Sequence, residues 1–112
     1  MSGMIVQEMA KIVGEKIFKL ICYGTDPIGN IPGRFETIDQ SRKKLKINGL
    51  EVTANRIAKT WFIEGEKAKY FYLCDEAGKQ TSMEATDNEL IAMKNWDVVE
   101  NLRNIKNETL IV

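Results

Sequence analysis

The chain has 112 residues, 44% apolar and 29% charged, a balance that fits one globular domain over 1–112 and excludes a disordered or fibrous chain. Sixteen Lys and Arg offset sixteen Asp and Glu, which is not the basic excess of a dedicated nucleic-acid binder. There is no histidine, so Ser-His-Asp and Cys-His catalysis are excluded, and two cysteines are too few for a zinc site; no metal and no cofactor is expected.

No apolar run approaches the roughly 18 residues that span a bilayer. Glu8 interrupts the opening segment where a secretory signal needs a charged-then-apolar order, so no export signal is read and a cytoplasmic location is expected. Cys22 and Cys74 sit in apolar runs and read as buried thiols of a reducing compartment.

In chain order, Ile5, Met9, Ile12 and Val13 have helical spacing until Gly14 interrupts it, which predicts a short N-terminal helix. Ile17 to Tyr23 is β-branched and aromatic and reads as a strand. Gly24–Gly33 holds both prolines and begins with the glycine spacing of a phosphate loop, Gly24-x-x-x-x-Gly29. Asn30 and Ile31 stand where Lys and Ser/Thr belong, so it is a structural connection, long enough to form the lip of a site.

Arg34–Asp39 alternates polar and apolar, as a half-buried strand does. Asn48-Gly49 between Lys44–Ile47 and Leu50–Thr53 is a strong hairpin marker, because a type I′ turn needs positive φ at both central residues. Further strands are predicted over 57–64, 69–74 and 80–85, separated by Gly65–Ala68 and Asp75–Lys79. Thr86-Asp87-Asn88-Glu89 has the pattern of a capping box opening a C-terminal helix. Two apolar stripes follow, one through Leu90, Met93, Trp96 and Val99, the other ending at Ile105, an arc wider than one sheet face needs. The tail Thr109–Val112 is apolar and needs a partner strand or surface. The expected class is therefore α+β, mostly β: a small antiparallel β-barrel or roll, SH3-like or related, of six to seven short strands, with a short N-terminal helix and a capped C-terminal helix.

Residues 1–74 carry 12 bases and 8 acids, residues 75–112 carry 4 and 8, so the two parts are +4 and −4. Six bases and one acid lie between 41 and 59, which reads either as an edge strand guarded by lysines or as an anion-binding face. Trp61, Phe62, Tyr70, Phe71 and Tyr72 would share one hairpin, with one face in the core and the other covered or open for stacking. Glu36, Asp39, Glu51, Glu64 and Glu84 are the carboxylates a general acid–base enzyme would draw on, but alternation places them on a solvated sheet face.

These features predict a non-enzymatic binding module acting as a homo-oligomer and binding an anionic small molecule or a protein partner. Its expected site is Arg56, Lys59 and Trp61, with Arg34, Lys44 and Tyr70 alongside. A nucleic-acid-binding β-barrel is the second reading and a carboxylate-based enzyme the third. The short, Lys/Asn/Ile-rich chain is compatible with an accessory protein of a phage or mobile element.

Overall fold

The computed structural model describes residues 2–112 and is 61% helical, with two short strands. The elements are α1 (Ser2–Val13), β1 (Lys19–Cys22), α2 (Ile38–Lys59), α3 (Phe71–Lys79), α4 (Met83–Asn95) and β2 (Glu108–Ile111), joined by short 3-10 turns. This overturns the expected β-barrel. Where strands were predicted over 34–39, 44–53, 57–64, 69–74 and 80–85, the chain forms α2, α3, the start of α4 and their connections.

The reason lies in the residues that α2 buries: Ile38, Ser41, Leu45, Thr53 and Ala58. Three of the five are small or polar, so the helical stripe is nearly invisible to a hydrophobic count, while Lys44–Ile47 alternates by chance. Thr37 starts the helix. Its hydroxyl accepts from the Gln40 amide at 3.1 Å, and the Gln40 side chain accepts from the Thr37 amide at 2.9 Å, a reciprocal cap. Asp39 in the first turn and Arg56 and Lys59 in the last complement the helix dipole. Asn48-Gly49 does not turn the chain back. Gly49 takes φ 78° and kinks α2, but Asn48 does not have positive φ, so the type I′ geometry is not formed.

The chain divides into two compact units, one made of the residues up to Pro32 together with Ala92–Val112, the other of Gly33–Ile91. In the first unit, β1 and β2 pair in parallel, Lys19 opposite Glu108 and Cys22 opposite Ile111. Leu20 and Cys22 on the inner face join Ala10 of α1 in a small core, against which Val6, Ile17 and Ile105 pack. Here β1 lies within the predicted strand, α1 matches the predicted helix, and the apolar tail finds its partner strand. The Gly24–Gly33 connection docks along the segment after α4. Val98 donates to the Pro27 carbonyl and Gly29 to the Trp96 carbonyl, both at 2.9 Å, and Ile28 bridges Asp97. A β-carbon on Gly29 would lie 1.8 Å from the Met93 carbonyl oxygen, so only glycine permits this approach.

In the second unit α2 packs on α3. Gly78 and Ala54 let the two backbones come close, since a β-carbon on Gly78 would sit 2.8 Å from that of Ala54. Asn55 donates to buried Asp75 at 3.0 Å across the same contact, and Phe62 meets Phe71 edge to face at 6.2 Å. Helix α4 starts three residues before the predicted box. Ser82 caps it by accepting from the Ala85 amide, and Thr86 lies inside. It ends at Asn95, short of the predicted Ile105; a separate 3-10 turn, Val99–Asn104, follows, its first amide donating to the Asp97 side chain at 3.0 Å.

Candidate functional site

The cap of α2 fixes the site, because Thr37 sets the direction in which Arg34, Phe35 and Glu36 approach the helix. Glu36 is buried, 8% exposed, and its carboxylate is the hub of the second unit's polar cluster. Oε1 accepts from the Ser41 hydroxyl at 2.5 Å and faces Arg56 Nη1 at 2.8 Å; Oε2 accepts from Lys44 Nζ at 2.6 Å. Arg34 Nη1 donates to the Glu36 backbone carbonyl at 2.7 Å and to Ser41 Oγ at 3.1 Å. Burial by itself raises the Glu36 carboxyl, but the hydrogen bonds from Lys44, Ser41 and Arg56, with the Arg56 charge, outweigh it and hold the group at about 2 against an ordinary 4.5.

Three of the six residues expected at an anion site, Arg34, Lys44 and Arg56, are thus brought together around Glu36, Lys44 and Arg56 on its carboxylate and Arg34 on its backbone carbonyl. Helical spacing puts Arg56 and Lys59 three apart on one helix. The other three stand outside the cluster. Lys59 pairs with Glu66 at 3.1 Å, Trp61 is 65% exposed just beyond α2, and Tyr70 is exposed with Lys69 Nζ 5.1 Å from its ring centre. Tyr70 immediately precedes α3 rather than lying in a hairpin, so the expected aromatic strand pair does not form.

Phe35 was not among the expected site residues. Its ring lies 5.1 Å from the Arg34 guanidinium carbon and 5.8 Å from that of Arg56, so it stacks with both cations. The signal that would have found this corner is Thr37-x-x-Gln40, a capping box as good as the one at Thr86. Along the first half of α2 a shallow depression of about 460 Å³ is lined by Asp39, Arg42, Lys43, Lys46 and Ile47. Arg42 grips Asp87 there with two parallel bonds, Nε to Oδ1 at 2.6 Å and Nη2 to Oδ2 at 2.9 Å. The bond from Arg42 holds the Asp87 carboxyl below its ordinary range.

The first unit carries a second depression, about 390 Å³, under the inner face of the sheet, lined by Gln7, Leu20, Cys22, Pro27, Ile105, Asn107 and others. Both cysteines are free thiols, Cys22 buried and Cys74 half-buried. No helix of the described residues is long and apolar enough to cross a membrane. Compared with protein-family models, curated proteins and solved structures, the chain matches none significantly.

Proposed function

We propose that the chain is a non-enzymatic, cytoplasmic binding module that recognises an anionic partner, a small acid or an acidic protein surface, through the basic side of α2 and the segment preceding it. The observation that carries this is the gathering of Arg34, Lys44 and Arg56 around Glu36, two of the cations on its carboxylate and the third on its backbone carbonyl, all in fixed geometry. Exposed Lys43 and Lys46 extend the positive surface along α2, and Lys59 with Trp61 marks its far end. A field of one sign on a small surface raises the encounter rate with a partner of the other sign. The pair Lys59–Glu66 is largely solvated and exchanges readily for a partner's acid.

Calorimetric titration with a glutamate-rich peptide tests this. Lys59→Ala should weaken binding about twofold to fivefold and Trp61→Ala more, both with an unchanged circular dichroism spectrum. Affinities equal to wild type in both variants would remove the surface.

A specific observation favours self-association as part of the same function. The outer face of the strand pair shows Ile21 at 64% and Leu110 at 57% exposure, with Tyr23 and Val112 exposed beyond them, and no third strand joins the sheet among the described residues. Parallel strands are ordinarily covered on both faces, and a lone pair is marginal in water.

A further inference from the structure

We infer that the side-on edge of Arg56 is a receptor for one carboxylate group of the partner, a commitment that rests on the anionic partner proposed above. The guanidinium is divided in use. Nη1 faces Glu36 at 2.8 Å, while Nε and Nη2 are buried and have no hydrogen-bond partner among the described residues. Buried donors of a charged group are seldom left unpaired, because water lost on burial must be replaced. Those two nitrogens carry parallel N–H bonds on one edge, the geometry that fits two coplanar oxygens.

The same chain shows what that edge takes. Arg42, on the same helix, uses its own Nε and Nη2 to hold both oxygens of Asp87 at 2.6 and 2.9 Å. Arg56 presents the equivalent pair of donors with no such acid. The cluster also has charge to spare, since Lys44 and Arg56 share the one Glu36 carboxylate while Arg34 donates to the Glu36 backbone carbonyl and the Ser41 hydroxyl. A monoanion suits it better than a phosphate dianion, because the Glu36 carboxylate sits on the neighbouring nitrogen and repels a second charge.

The way in lies past Phe35. Its ring covers the guanidinium from 5.8 Å, yet 49% of the residue is exposed, and it belongs to the short segment between Gly33 and the Thr37 cap. Gly33 has φ 77° and open space where a β-carbon would be. An entering carboxylate displaces the ring from Arg56 and leaves it on Arg34.

Nitrogen-15 NMR of the arginine Nε–H groups tests the assignment on the intact protein. Titration with acetate, with chloride at matched ionic strength as the control and inorganic phosphate as a competitor, should move the Arg56 resonance saturably with acetate and much less with phosphate. Arg56→Lys keeps the charge facing Glu36 and removes the edge, so it should lower affinity for the glutamate-rich peptide about tenfold. If that variant does not fold, the wild-type titration still decides. An Arg56 resonance that responds to acetate no more than to chloride overturns the assignment, and means that the edge holds water only. A stronger response to phosphate than to acetate overturns the choice of carboxylate. If the peptide still binds in a salt-dependent way while Arg56 is silent, the receptor falls and the anionic partner stands.

Discussion

Glu36 sets the balance of the second unit at the residue scale. Its folded pKa is depressed, so the stability it adds is fully present above pH 4.5 and is lost as pH falls towards 2. The difference corresponds to about 3 kcal/mol. Urea unfolding between pH 7 and pH 2 should therefore show Glu36→Gln less stable by about that amount at neutral pH, with the gap closing over the window from 4.5 to about 2. A gap independent of pH would mean that the carboxylate is not held by Lys44, Ser41 and Arg56. Gly29 is decided by space. The atom that a β-carbon would strike is a backbone oxygen, which cannot turn aside, so Gly29→Ala should cost about 1–3 kcal/mol in the same assay. Gly24→Ala has open space but φ 53°, and its cost is strain alone.

At the scale of elements, what could be read in the sequence depended on what each element buries. α1 and β1 were legible because Ile5, Met9, Ile12 and the Ile17–Tyr23 run carry apolar side chains at helical and strand spacing. α2 was not, because Ser41, Thr53 and Ala58 line its buried side and a two-residue alternation overlies it. The hairpin that Asn48-Gly49 signals does not form: Gly49 takes positive φ and Asn48 does not, and one such residue bends a helix where two make a hairpin. The site was legible as a set of cations and illegible as an arrangement. Arg34, Lys44 and Arg56 stand out in the sequence, but residue alternation puts Glu36, which all three meet, on a solvated sheet face. Gly49→Ala should lower the melting temperature, because φ 78° with ψ 176° is a conformation essentially confined to glycine and costs a β-carbon about 1–3 kcal/mol, without changing helix content greatly. Loss of most far-UV helix signal in that variant would show that the kink organises the whole of α2.

For the whole molecule, the proposed self-association rests on the open face of the strand pair, where Ile21 and Leu110 are exposed. Light scattering over a concentration series should give more than the 12.8 kDa of one chain, and Leu110→Lys should return it to the monomer mass. A wild-type monomer at tens of micromolar would remove self-association and leave the sheet face without a role. Recognition of an acidic partner is the central claim, and its most direct measurement is calorimetric titration of the glutamate-rich peptide across a salt series. Saturable binding that weakens several-fold between low and physiological salt is the predicted result, since the exposed cations of α2 are screened within a Debye length of about 8 Å. Binding that is absent, or indifferent to salt, contradicts the account.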